Sequence, residues 1–133
     1  MKTISNILSL LFATMVFAAC SHSNTPEYVA ERFIKALYTG NSDEAASFCT
    51  VETREAVNFI LGFVSSSIGD LKKTTPEIKV LSTEMSDDGQ ASKVRLGVSG
   101  YYDIRERKVS DELHEETVNL ILVDDRWQVV MRK

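Results

Sequence analysis

The residues able to do chemistry in this chain are few and far apart. Its 133 residues include two cysteines, Cys20 and Cys49, and two histidines, His22 and His114. A cysteine nucleophile needs a base to take its proton, and both histidines lie far from Cys49 in sequence. Neither histidine is spaced with other ligands as a zinc site requires, so no metal and no cofactor is expected. Cys49 sits beside Phe48 in the stretch "AASFCTV" and reads as a buried structural thiol. Isomerase or hydrolase chemistry would need a carboxylate in apolar surroundings, with a shifted pKa, facing a tyrosine or a second acid. Asp103, after Tyr101 and Tyr102, and Glu84, before Met85, stand next to apolar positions. Asp103 falls at a strand end and Glu84 near a turn, so both are expected in water. Most remaining acids lie in charged runs, which read as solvated surface. The expectation is a protein that is not an enzyme, with a pocket-carboxylate isomerase or hydrolase as the alternative.

The N-terminus carries an address. Lys2 supplies one positive charge, and Ile7 to Ala19 is almost wholly apolar. A charged start, a short apolar run and small residues at its end describe a secretory signal peptide. The run is about 13 residues, short of the roughly 20 that a helix needs to span a bilayer. It ends in Phe17-Ala18-Ala19-Cys20, which resembles the lipobox of bacterial lipoproteins, with Phe17 where leucine is commoner. That resemblance implies a diacylglyceryl group on the Cys20 thiol and cleavage before it. Residues 1–19 are then the signal peptide, 20–25 a small polar tether, and 26–133 one domain. Each buried CH₂ of an acyl chain contributes about 0.8 kcal/mol, so two or three chains hold stably. The tether "SHSNTP" has no acidic run, which favours a periplasm-facing protein of the cell envelope.

The composition bounds the partners. The full chain has 15 Lys+Arg against 19 Asp+Glu, a net charge of −4; loss of Lys2 leaves 14 against 19, or −5. Mild acidity argues against nucleic acid, which selects basic clusters, and against electrostatic attraction to anionic lipid. With Cys20 acylated, Cys49 has no disulfide partner.

A helical half precedes a strand half. Thr25-Pro26-Glu27 is a helix start: a cap, a first-turn proline and an acid at the positive end of the dipole. Val29, Phe33, Ile34 and Leu37 follow at helical spacing, and Gly40-Asn41 ends the helix. Ser42-Asp43-Glu44 opens a short second helix. A third is expected from Thr50 to the Gly69-Asp70 stop. Val57, Ile60, Leu61, Val64 and Ile68 form its stripe, and Phe59 and Phe63 widen it, which predicts packing on more than one side. Gly62 in its middle costs about 1 kcal/mol against alanine and points to a closely approaching neighbour. After Pro76 the period becomes two. Ile78, Val80 and Ser82 share a face; Asp88-Gly89 signals a hairpin; Val94, Leu96, Val98, Gly100 and Tyr102 share the next face. "DIRERKVSDELHEE" reads as strand ends and a mobile connection. Glu116 to Val123 is a strand with Val118, Leu120 and Leu122 on one side and Asn119 turned away. Asp124-Asp125-Arg126 turns the chain into Trp127–Met131. Helices followed by meandering strands give an α+β fold, with helices on a curved antiparallel sheet of about four strands.

That order is similar to the nuclear-transport-factor-2-like, or cystatin-like, fold. Three stretches, "TPEYVAERFIKALYTGNSDEAASFCT", the Asp-Gly hairpin and "DDRWQVV", resemble a domain-of-unknown-function family of small bacterial lipoproteins, some of whose relatives carry a lumazine-binding-like label. The resemblance covers nearly all of the mature chain. It implies a fold and a conical cavity between helices and sheet, and brings no catalytic residues. Candidate pocket aromatics are Tyr28, Phe33, Phe59, Phe63, Tyr102 and Trp127, the competing reading being that they are core. The expected partners are the membrane through Cys20, an unidentified protein or small-molecule ligand, and a second copy through the open sheet face.

Overall fold

The computed structural model describes residues 24–131. The signal segment, Cys20 and most of the tether lie outside the described residues.

Helix α1 (Pro26–Tyr38) begins where the sequence places it: Thr25 Oγ1 accepts from the Tyr28 N–H, and Pro26 occupies the first turn. It buries Val29, Ala30, Phe33, Ile34 and Ala36. Gly40 follows at φ +71°, a left-handed conformation that favours glycine. Helix α2 (Ser42–Ser47) is capped by Asn41 and α3 (Val51–Phe63) by Thr50. A 3₁₀ turn (Ser65–Ser67) and α4 (Ile68–Lys72) complete the helical half.

Six strands follow: β1 (Glu77–Met85), β2 (Ala91–Ser99), β3 (Tyr101–Asp103), β4 (Lys108–Ser110), β5 (His114–Val123) and β6 (Arg126–Val130). Four form one antiparallel sheet in the order β1-β2-β5-β6, and β3 and β4 form a separate ribbon. Both expected turns form. Gly89 takes φ +70°, and Asp124 and Asp125 take φ +50° and +63°, the pairing of a tight two-residue hairpin. The sheet's helix-facing side presents Val94, Leu96, Val98, Val118 and Leu120, and with α1, Cys49, Val57 and Leu61 these close one core. The β6 edge is covered: the Thr50 N–H donates to the Val129 carbonyl, and the Val129 N–H to the Phe48 carbonyl. Met131 N–H donates to Thr53 Oγ1.

Several expectations change. The third helix stops at Phe63 instead of running to Gly69, and three consecutive serines of modest helix propensity then take a 3₁₀ turn. It buries Thr53, Val57 and Leu61 alone, leaving Phe59, Ile60 and Phe63 exposed, so it packs on one side. Gly62 has no neighbour: a Cβ built there meets nothing within 4 Å. In β1 the register slips between Val80 and Ser82, so Leu81 is a bulged residue and Ser82 pairs with Arg95 on the outer face. The charged connection contains the β3–β4 ribbon, and β5 starts at His114, two residues early.

Candidate functional site

A groove of about 320 Å³ opens between α1 and the far half of the sheet. Phe33, Ile34 and Leu37 form its helical wall, and Val118 and Val129 to Met131 the sheet wall. The groove exists because β6 is half the length of β5. Asn119 to Val123 pair with β6, and His114 to Val118 run on past its end.

The groove's carboxylate is Glu116, with Thr117 and Asn119 as its other polar lining residues. It lies on β5 with His114, two residues apart and so on one face. Tyr38, the last residue of α1, donates its O–H to Glu116 Oε1 at 2.8 Å. His114 Nε2 lies 2.8 Å from the same oxygen. Tyr101 packs edge-on against Tyr38, with ring centroids 5.5 Å apart, and its ring centroid is 6.1 Å from that of His114. Burial pushes the Tyr38 phenol above its ordinary pKa; the hydrogen bond and negative charge of Glu116, then Tyr101, push the same way. Tyr38 therefore stays a hydrogen-bond donor at all physiological pH values. Glu116 Oε1 accepts from Tyr38 and has His114 Nε2 beside it, while a third of its side chain meets solvent (31% exposed). Such a carboxylate orients a positively charged or hydrogen-donating group; the apolar walls take the rest of a ligand.

Cys49 is fully buried, its Sγ 3.2 Å from the Ala45 carbonyl, and burial pushes its thiol up to about 11 although Arg54 pulls it down. A thiol so held is protonated at neutral pH. No cluster of three or more metal-ligating side chains occurs among the described residues. Asp103 ends β3, its Oδ1 accepting from the N–H groups of Arg105 and Glu106, and Glu84 is exposed on β1.

The six candidate aromatics go to different places. Phe33 is buried and lines the groove. Tyr28 is half-buried against the core, near the start of α1. Trp127 lines a separate cavity at the start of β6. Phe59 and Phe63 contact each other edge-on, centroids 4.9 Å apart, 68% and 74% exposed on α3. Tyr102 pairs with Val109 in the ribbon. Gly100, at φ +69°, breaks the alternation after β2. Tyr101 instead of Tyr102 is thereby packed on the core and brought to Tyr38. Sequence reasoning missed Tyr38, Tyr101, His114 and Glu116. The usable signal was the i, i+2 spacing of His114 and Glu116.

No protein-family profile and no curated protein matches the chain in sequence. Among solved structures it is similar to a Campylobacter jejuni protein bearing the provisional name NTF2-like transpeptidase. That likeness has a TM-score of 0.56 at 18% identity, over 81% of this chain and 99% of the other. It is also similar to a provisionally named calcium/calmodulin-dependent protein kinase II association domain from Xanthomonas campestris (TM-score 0.46, 18% identity, 73% and 74% covered). A third likeness is to the intermembrane space region of the chloroplast protein ARC6 (TM-score 0.45, 11% identity, 76% and 85% covered). At such identities the likeness is one of architecture: the α+β fold is NTF2-like.

Proposed function

We propose that this protein is a lipid-anchored cell-envelope lipoprotein whose NTF2-like domain binds a ligand without transforming it. The anchor rests on Phe17-Ala18-Ala19-Cys20 at the end of the apolar run. The binding role rests on one observation: the α1–β5–β6 groove combines apolar walls with a single carboxylate already oriented by Tyr38 and His114. Its ligand carries an apolar body and a hydrogen-donating or cationic end, the latter meeting Glu116.

The test is native mass spectrometry of the acylated protein, extracted from its own envelope in mild detergent, beside Met131→Trp. Met131 is 43% exposed and lines the groove, so indole bulk there fills the site without disturbing the core. An extra mass on the wild-type protein, lost on denaturation and absent from the variant, supports the reading. A bare protein mass in both overturns it. Cys20→Ser tests the anchor separately: a variant still recovered with the membrane after removal of its signal segment would sink it.

A further inference from the structure

A second cavity, of about 410 Å³, lies where α1 begins, where α2 passes into α3, and where β6 starts. Two arginines, Arg54 and Arg126, line it together with Phe48, Trp127 and Gln128. The Arg54 Nε donates to the Ala46 carbonyl at 3.2 Å, which fixes the guanidinium plane and leaves both Nη groups free of backbone duty. Neither arginine is within ion-pair distance of a carboxylate among the described residues, whereas Arg32 pairs with Glu44 and Arg95 with Glu115. In a chain with more acids than bases, two exposed guanidinium groups without a carboxylate partner among the described residues line one cavity and can receive an oxyanion. Paired forks bind tetrahedral phosphate oxygens with better geometry than ammonium groups do.

The location names the source of that phosphate. Asn24 lines the same cavity, its amide donating to the Asp125 carbonyl at 2.7 Å and its Oδ1 accepting from the Trp127 N–H at 3.4 Å. Cys20 is four residues earlier, and four extended residues span at most about 14 Å. An acylated Cys20 therefore holds this cavity close to the head-group layer, the depth at which tryptophan is enriched. We propose that the cavity receives the phosphodiester of a membrane phospholipid through Arg54 and Arg126, seating the domain on the bilayer that holds its tether. Asp124 and Asp125 at the adjoining turn suit a head group that also carries an ammonium, so phosphatidylethanolamine fits better than an anionic lipid. The mature chain's net charge of −5, counted from 14 bases and 19 acids after residue 19, is screened beyond about 8–10 Å at physiological salt. The choice of a lipid phosphate rests on the anchoring reading; the oxyanion site does not.

Trp127 is the single tryptophan, so its fluorescence reports this cavity directly. The acylated protein is reconstituted into phosphatidylethanolamine vesicles doped with a lipid bearing a head-group nitroxide. The expected result is strong quenching of Trp127, reduced about fivefold or more in Arg54→Gln and Arg126→Gln, as loss of a partly exposed charge-assisted contact predicts. Gln leaves the fold's hydrogen bonds largely in place, and circular dichroism checks that both variants fold. Protein that floats with the vesicles but shows no quenching overturns the docking proposal and leaves the anchor standing. Protein that does not float overturns the anchor. The same protein in detergent is then titrated with inorganic phosphate. Without vesicle quenching, a Trp127 response lost in both variants assigns the site to free phosphate and overturns the lipid source; with neither quenching nor a response, the site itself is overturned.

Discussion

Replacing Tyr38 with Phe tests the central contact of the groove. The substitution keeps the ring against Tyr101 and removes only the O–H that Glu116 accepts at 2.8 Å. A hydrogen bond to a charged acceptor contributes about 1.5–3 kcal/mol. Here water and His114 remain available to a carboxylate side chain 31% exposed, so about 1 kcal/mol is expected at pH 7. The alkaline limb is more diagnostic. The Tyr38 phenol is held above its ordinary value of 10.0 in the folded state, first by burial and then by Glu116. Unfolded chains ionise this tyrosine near 10 and the native protein does not. Its contribution is thus intact below pH 10 and is lost as pH rises above 10. The full slope for one such group is about 1.4 kcal/mol per pH unit, and solvent screening of a half-buried phenol shortens the pH range over which it holds. Urea unfolding at pH 7, 10 and 11 reads the stability, and absorbance at 295 nm counts ionised tyrosines among the four in the chain. Tyr38 should stay un-ionised in the folded wild-type protein and ionise when it unfolds, and Tyr38→Phe should flatten the alkaline slope. Glu116→Gln should lie between, since burial is the larger cause. Equal alkaline slopes for wild type and Tyr38→Phe would refute the reasoning.

Three other outcomes follow from the same packing. Cys49, its thiol raised to about 11, should resist iodoacetamide at pH 8 in the native protein and react within minutes in denaturant; mass spectrometry reads the adduct, and rapid native labelling contradicts the burial. Gly62→Ala should raise stability by about 0.5–1 kcal/mol, because its Cβ meets nothing within 4 Å; a loss in urea unfolding would mean that α3 is covered on that face. Gly40→Ala should do the reverse by at least about 1 kcal/mol, since Gly40 sits at φ +71° with Leu71 Cβ 3.4 Å from the added carbon, and an unchanged urea midpoint would contradict it.

The parts of the fold that could be read in advance are those where one local rule governs. Thr25 caps α1 as its side chain allows, and α3 opens after Thr50. Gly89 and the Asp124-Asp125 pair turn hairpins, and Val118 and Leu120 alternate inward. The sequence misled where a period was carried past an interruption. The apolar stripe is continuous in sequence through Ile68, but α3 ends at Phe63, and Phe59 and Phe63 stand exposed among the described residues. Alternation was carried through Leu81 although a bulge there turns Ser82 outward. Hydrophobic pattern marks which residues would gain from burial; whether a second layer exists to bury them is decided by distant chain.

The same interruptions explain why the polar cluster escaped notice. Tyr101 reaches Tyr38 only because Gly100 adopts φ +69° and resets the alternation after β2. His114 joins Glu116 only because β5 begins inside a run of charges that looked like loop. Tyr38 meets Glu116 across 78 residues of chain, at the end of α1. Each break costs something locally: a left-handed turn, a charged strand end, a phenol taken from water. Sequences that agree with their fold at every level tend to break such local rules where a site is being built. Three breaks converge on one carboxylate at the lip of an apolar groove, and a packing role alone would have been met by a valine at position 116. On that ground Glu116, rather than any of the six aromatics, is the residue whose removal should cost binding while leaving the fold intact.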